Sequence, residues 1–548
     1  MTTETPVGLV IRTTRLLPSA TADAAPGFVA VGDGVVLAVG DADEADAWAA
    51  RAARMIDVGD ATVMPGLIDA HIHPTFGGMI ARGADLSGIQ TREGVRAALA
   101  AYAASTPHVT GRDWLTAWGF DPACFEGGAF DNEILDGILD DELVVITMFD
   151  GHAVLASEAA IRLAGVTGQE VLDGAARVGV RADGTPSGML FEIAASDLVQ
   201  RLVPAPTFDE RVEALETLLH GMAATGLVAG QMLDLEMDDS IDLFEAVEAR
   251  GELGIRVRIS PWVMPGFTEE RLAELLALQG RHGRSWHVRG IKLMIDGTID
   301  NGTAWLFEPD TQGESTESLW LHPEEYVRVL EYFHSHGIPT TTHSIGDKGT
   351  SFVANAIAAL PGTDAADGTP RVQHRIEHIE TLPDTVLAEI VASGAAASLQ
   401  PTHCTLYSKA DHSDNWSQRL GDERADLAWR TASLRDAGVT VALGSDWPIA
   451  PYDPRAILAD AQLRRPVTRP DLAANHPEEG LTARRALEGY TSEWWRSVGE
   501  DGGRLEVGAP ADITVLAVDP LTATPEELAA AAVVLTVVDG RISADFTG

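Results

Sequence analysis

Cysteine and lysine are the scarce residues of this 548-residue chain, with two of the first and three of the second. Cys124 and Cys404 stand far apart, in no metal-ligand or redox spacing, which excludes a disulfide framework. Positive charge is short altogether: 39 Lys and Arg against 82 Asp and Glu leave a formal net charge of −43. Such a chain repels nucleic acid and anionic membrane, so neither is expected as a partner. The longest apolar run, around residues 528–538, is too short to span a bilayer, and residues 1–17 lack the basic start and apolar core of a secretory signal. A cytoplasmic protein is expected. There is no Gly-x-x-x-x-Gly-Lys nucleotide loop and no low-complexity tail. The acidity fits a high-salt habitat and a solubility habit equally.

Hydrophobic residues make up 45% of the chain, which suits a large α/β enzyme core with a smaller appended part. Short alternating apolar runs at 8–11, 28–31 and 35–39, broken by Gly, Asp and Pro, predict β-hairpins, with one helical stretch at 43–53. Residues 508–516 and 533–540 read the same way, so both termini are expected to build one small β-domain, 1–64 with 491–548. Between them, apolar strands alternate with helical patterns. Eight strands are predicted, at 67–73, 227–233, 255–263, 290–295, 338–343, 372–378, 396–400 and 439–445. Eight β-α units predict a (β/α)8 TIM-type barrel over 65–490, whose catalytic groups sit at the C-terminal strand ends. The first gap is too long for one crossover helix. Residues 77–210 therefore read as an insertion after the first barrel strand, with a helix near 92–104 and a strand near 143–149, lying over the mouth.

In the run Val63-Met64-Pro65-Gly66-Leu67-Ile68-Asp69-Ala70-His71-Ile72-His73-Pro74, a Pro-Gly turn leads into an apolar strand. Residues two apart on a strand share a face, so His71 and His73 project together as half a metal site, unless both are merely packed. His334 and His336 repeat the spacing at the end of an amphipathic helical run, where residues two apart diverge by about 200° and cannot share an ion.

Further ligand-type residues fall at or near the predicted strand ends: Lys292 within the fourth, His343 ending the fifth, His378 the sixth, Asp446 following the eighth. Taken singly, His343 could serve a turn and Asp446 an N-cap; together, a barrel brings them to one mouth. Imidazole and carboxylate donors suit a borderline divalent cation, zinc above all. Of the three lysines, Lys292 alone lies within an apolar strand, where a bare ammonium costs several kcal/mol, so it must point at the mouth or be chemically changed. His374 is expected on the same strand face as His378, roughly 13 Å deeper, and outside the site.

The ordered set Pro65-Gly66-Leu67-Ile68-Asp69-Ala70-His71-Ile72-His73, Trp118-Gly119-Phe120-Asp121, Asp150-Gly151-His152, Lys292 before Asp296-Gly297, His343-Ser344-Ile345-Gly346-Asp347, His374-Arg375-Ile376-Glu377-His378, Gln400-Pro401-Thr402-His403 and Gly444-Ser445-Asp446 resembles the amidohydrolase superfamily, in the amidohydrolase-3 branch that includes N-substituted formamide deformylases. The resemblance implies a composite β-sandwich beside the barrel and one or two metal ions. It implies that His71, His73 and Asp446 bind the first ion, that His343 and His378 bind the second, and that a carbamylated Lys292 bridges them. It also implies a small-molecule substrate, with a homodimer as the common assembly.

The function expected is hydrolysis of an amide-type carbon-nitrogen bond by metal-activated water, with Asp446 as general base and then acid, and an N-formyl or N-acyl amine as substrate by resemblance alone. His152, Trp118, Gln400 and His403 are the candidate substrate-binding residues. Packing behind the site is the equal alternative for His152, His403 and Gln400; Trp118 and Phe120 are pocket wall or, more often for an aromatic, core, and Glu192 lines the mouth or faces solvent. The alternatives are ester, lactone or carbamate hydrolysis by the same activated water, or a non-catalytic binding protein on the same barrel, which would be expected to have lost ligands that are all present here.

Overall fold

A computed structural model describes residues 6–547 except 88, 90, 122–123, 125–130, 150, 173–175, 235–238, 252 and 362–371. Asp150 of the Asp150-Gly151-His152 run thus lies outside the described residues.

The site-bearing part is an α/β arrangement built from nine parallel strands: β1 (Leu67–Ile72), β2 (Leu227–Met232), β3 (Arg256–Ile259), β4 (Trp286–Val288), β5 (Ile291–Met294), β6 (Thr340–Ser344), β7 (Arg375–His378), β8 (Ala396–Leu399) and β9 (Val441–Leu443). They form two sheets, of order β4-β3-β2-β1 and β5-β6-β7-β8-β9. Isolated parallel bridges join Ile72 to Trp447 at one flank and Trp262 to Lys292 at the other. Strands β1, β2, β5, β6, β7, β8 and β9 are buried along their whole length, because helices cover the outer face and side chains fill the inner one. The helix Phe208–Ala224 illustrates the outer layer: Val212, Leu215, Leu219 and Met222 recur at helical spacing and enter the main core. All eight predicted strands contain one of these. The predicted 255–263 strand is shorter, ending at Ile259, and β4 is additional: Ser285 to Val288 pairs alongside β3 before Gly290, at φ +103, lets the chain turn into β5.

Residues from both ends of the chain form a single eight-stranded sheet. The strand Thr62–Pro65 pairs with Ile513–Leu516 on one side and with Val7–Leu16 on the other. Alternation sends Leu9, Ile11, Val29 and Val31 into a cluster shared with Ile513, Val515, Leu535 and Val537, while Val10, Phe28 and Ala30 pack on the opposite face. The helix expected at 43–53 is confined to Ala45–Ala49, and the following residues form the strand Ala52–Asp57, whose pairing with Val7–Leu16 outweighs the alanine content.

Between β1 and β2, a six-stranded sheet spans Ala84–Asp85 to Pro186–Phe191. The helix Arg92–Ser105 and strand Leu143–Met148 lie where the periodicity predicts. The other strands were masked by glycine-rich turns.

Thr514 ties the terminal sheet to the start of β1. Its hydroxyl accepts from Leu67 N at 3.1 Å and donates to Gly226 O at 2.6 Å, fully buried. Thr514→Val keeps the shape and leaves both backbone groups unpaired, a cost of about 1–3 kcal/mol; the expected outcome is a lower thermal midpoint in calorimetry with metal content unchanged.

Candidate metal centre

Register decides which side chains share the interior. Lys292 pairs with Thr341, Met294 with His343, and His343 with Glu377, and paired residues of parallel strands face the same way. The inner face therefore carries Lys292, His343 and Glu377, with Arg375 two residues below Glu377. His374 falls on the outer face instead of deep in the interior: it meets His334 Nδ1 at 2.9 Å and Thr340 Oγ1 at 2.9 Å, under the helix Pro323–Ser335. Alternation would turn His378 outward as well. It reaches the centre because β7 ends there, with His378 at φ +71 and Ile379 at φ +49. Asp446 likewise sits at φ +60, its amide bonded to His71 O at 2.8 Å, while His73 N donates to Trp447 O at 2.9 Å.

The ligand-type atoms converge. His71 Nε2, His73 Nε2 and Asp446 Oδ1 lie 3.1, 3.2 and 3.0 Å from one another pairwise, and Lys292 Nζ is 3.3 Å from His71 Nε2. The tautomers follow from the second ring nitrogens. His71 Nδ1 donates to Glu377 Oε2 at 2.7 Å and His378 Nδ1 to Gln400 Oε1 at 2.9 Å, so each presents a bare Nε2. His343 Nε2 lies 3.2 Å from Gly297 O, which leaves its Nδ1 bare. Burial, reinforced by the Lys292 charge, holds the His71 and His343 imidazoles well below their ordinary range; burial and His343 do the same for His378. Burial also brings Lys292 down to about 8.

The bare His71 Nε2 and Asp446 Oδ1 are two acceptors only 3.2 Å apart and mutually repulsive, and Asp446 Oδ1 is buried with no hydrogen-bond donor among the described residues. A divalent cation removes that conflict. Ligands about 2.0–2.1 Å from a tetrahedral ion stand roughly 3.3 Å apart, close to the spacings here. His71, His378 and Asp446 form a buried group able to hold such an ion, so the residues fit a metal.

A cavity of about 80 Å³ opens over these atoms, lined by His73, His152, Lys292, His343, His378, His403 and Asp446 and walled by Phe76, Phe149, Trp262, Tyr407, Trp416 and Trp429. His152 Nδ1 pairs with Glu192 Oε2 at 3.2 Å, and the His403 ring lies parallel to His378 at 6.0 Å with Nε2 3.8 Å from Asp446 Oδ2. Gln400 is fully buried beneath His378 and does not line this cavity; Trp118 lines a neighbouring cavity; Phe120 is core of the inserted sheet. Glu192 neither lines the mouth nor faces solvent, being turned onto His152 at φ 64 and ψ 164, a backbone region that costs a side chain energy.

Other residues escaped the sequence reading. Glu377 and Arg375 form a buried pair, and Arg375 continues to Ala70 O, Gln231 Oε1 and Ser497 Oγ. Asp69 Oδ1 accepts from His71 N and Ser445 N, and its burial pushes the carboxyl up to about 7. Glu380 lines the cavity, bonded to Trp416 Nε1 at 2.8 Å, and is pushed well up by burial and by Asp300. The signal was present: Arg375 and Glu377 alternate inside an apolar strand, as anomalous there as Lys292.

Comparison with known proteins agrees with this chemistry. A profile of the amidohydrolase family matches residues 54–544. YtcJ, an amidohydrolase by name, of Bacillus subtilis (strain 168) is 26% identical over 526 residues, 94% of this chain and 95% of that one. The N-substituted formamide deformylase of Arthrobacter pascens is 24% identical over 554 residues, 95% of each chain. Among solved structures, an uncharacterized metal-dependent hydrolase from Pyrococcus horikoshii OT3 superposes with a TM-score of 0.70 at 21% identity, covering 94% of this chain and 99% of that one.

Gln400→Met removes the acceptor for His378 Nδ1 without changing the side chain's length. Metal retention against a chelator, followed by elemental analysis, is expected to weaken by about 10–100-fold. A raised KM with metal retention unchanged would instead make Gln400 a substrate contact.

Proposed function

We propose, from the premise that this chain belongs to the amidohydrolase family and is a metal-dependent hydrolase of carbon-nitrogen bonds other than peptide bonds, that its small-molecule substrates are N-formyl or N-acyl amines. The observation that carries the reading is the convergence of His71 Nε2, His73 Nε2 and Asp446 Oδ1, which lie 3.1, 3.2 and 3.0 Å from one another pairwise. His71, His73 and Asp446 would hold one cation and His343 and His378 a second, with zinc the best match to imidazole and carboxylate donors. Lys292, buried with Nζ 3.3 Å from His71 Nε2, would add an anionic oxygen ligand as its carbamate, formed when the neutral amine adds carbon dioxide and loses a proton, in place of a poorly solvated cation. The bound metal supplies Lewis acidity that favours deprotonation of water and polarises the scissile carbonyl.

The protein's own groups do the rest. Asp446 engages His71 and His73 through Oδ1, and its Oδ2 faces the cavity beside His403 Nε2. Oδ2 takes the proton as water's oxygen adds to the carbonyl carbon, then delivers it to the nitrogen as the carbon-nitrogen bond breaks, leaving an acid and an amine. His403, whose Nε2 is buried without a hydrogen bond, and His152, oriented by Glu192, hold the carbonyl oxygen. The aromatic walls exclude bulk water.

The same reading closes the two parallel sheets into a (β/α)8 barrel, residues 65–490, with the 77–210 insertion over its mouth and a composite β-sandwich from 1–64 and 491–548. Support comes from the bridges at both flanks of the sheets. Among the described residues no helix is long and apolar enough to cross a membrane, and both cysteines are free; with the net charge of −43, these favour a cytoplasmic enzyme, a homodimer by family habit, without nucleic-acid partners.

Elemental analysis of wild type and Lys292→Ala, beside a panel of N-formyl and N-acyl amines with matching esters, tests the reading. About two metal equivalents, falling in the variant, with amide turnover, is the expected result. One equivalent unchanged by Lys292→Ala removes the bridge, and turnover of esters alone removes the amide assignment. Asp446→Asn is expected to lower kcat by about 10²–10⁴-fold.

A further inference from the structure

The catalytic cavity is small, about 80 Å³, but Phe149, Tyr407 and Ile449 also line a second cavity of about 1040 Å³ on the far side. The Phe149 and Tyr407 rings lie against each other, centroids 4.0 Å apart, and the Tyr407 hydroxyl donates to Ile449 O, so these three residues form the partition between the two spaces. The larger chamber runs between the inserted sheet and the helix Phe208–Ala224, with Trp118, Trp447, Tyr452 and Leu218 in its walls.

Its charge is one-sided. Asp85, Asp121, Glu210, Glu213 and Asp453 line it, and no Lys, Arg or His does among the described residues. Asp453 is paired with Arg455 behind it, and Glu210 is turned onto the amide of Thr207. Asp85 and Glu213, both exposed to solvent, add to the negative potential of the chamber.

We propose that this chamber is the subsite for the nitrogen substituent of the substrate, and that it selects apolar substituents that are neutral or cationic and rejects those bearing a carboxylate. The assignment rests on the amide-hydrolase reading above. The small cavity accommodates the acyl group and its nitrogen at the metal centre; the chamber lies directly behind the Phe149 and Tyr407 partition, and the substituent reaches it where those two side chains part. Aromatic faces among carboxylates stabilise an ammonium group and an apolar body alike, whereas an entering anion would meet like charge. N-acylated amines are thereby separated from N-acylated amino acids, although both present the same scissile bond.

Three probes of one shape test it by calorimetry on the metal-loaded protein: 3-phenylpropyltrimethylammonium, 3-phenylpropanol and 3-phenylpropanesulfonate. The ammonium and the alcohol are expected to bind, and the sulfonate at least about tenfold more weakly. Ala214 and Thr217 are exposed on the helical wall of the chamber, so Thr217→Arg and the double variant Ala214→Arg/Thr217→Arg add positive charge without disturbing the core. In both, the preference for ammonium over sulfonate is expected to fall, in the double variant by about tenfold or more. Equal binding of the three probes by wild type, or a preference unchanged in both variants, overturns the proposal. Turnover is measured separately: the charge order without hydrolysis of any amide supports the chamber and removes the amide-hydrolase reading, whereas amide hydrolysis without the charge order keeps the hydrolase and overturns the chamber.

Discussion

The hydrogen bond from His71 Nδ1 to Glu377 Oε2, 2.7 Å long and fully buried, is the constraint on which the centre depends. It fixes the tautomer of His71 and so leaves Nε2 bare at the point where His73, Asp446 and Lys292 converge. Arg375, two residues back on the same strand, pairs with the other oxygen of Glu377. Arg375 in turn is held by Ala70 O, Gln231 Oε1 and Ser497 Oγ, so one side chain connects β1, β2, β7 and the helix Ser492–Ser497. Buried charges are tolerated when every donor and acceptor is matched. The orientation of the metal ligand and the mutual placement of three strands are thus one electrostatic arrangement.

Strain gathers around the same point. His378, Ile379, Asp446 and Glu192 all take positive φ, and none is glycine. His378 and Asp446 thereby reach the centre, Glu192 meets His152, and Ile379 enters the main core. Packing and backbone hydrogen bonds offset the cost: Asp446 N to His71 O, Ile379 N to Ser344 O, Glu192 N to His152 O. Other non-glycine residues take positive φ elsewhere, among them Asp33, Arg464 and Asp539, but at His378 and Asp446 the conformation sets the site's geometry.

Much of this was legible from residue order. The His71 and His73 spacing, the lone strand lysine and the ligand-type residues at strand ends bring out the centre, since each is a chemical anomaly in an apolar context. His334 and His336 were separable from it by helical geometry alone. Where alternation breaks, the reading failed: His378 was assigned the face of His374, but a left-handed residue at the strand end reverses that parity, and left-handed histidine carries no sequence mark. Gln400 and Trp118 were adjacent in motif yet not in space, one lying under the ligands and the other beyond the partition. Arg375 and Glu377 were visible as charges but not as a pair, because a pair is a tertiary fact.

The strand Thr62–Pro65, which leads directly into β1, has Ile513–Leu516 as its neighbour on one side, and Leu67 N is bonded to Thr514, 447 residues away. During synthesis the first two metal ligands therefore leave the ribosome long before the segment that frames them. At about 5–20 residues per second the delay is roughly 20–90 s. For that interval Thr62–Pro65 and the start of β1 lack the neighbour that pairs with them in the finished sheet. The order of the chain along its message makes the frame around His71 and His73 one of the last parts of the structure to close.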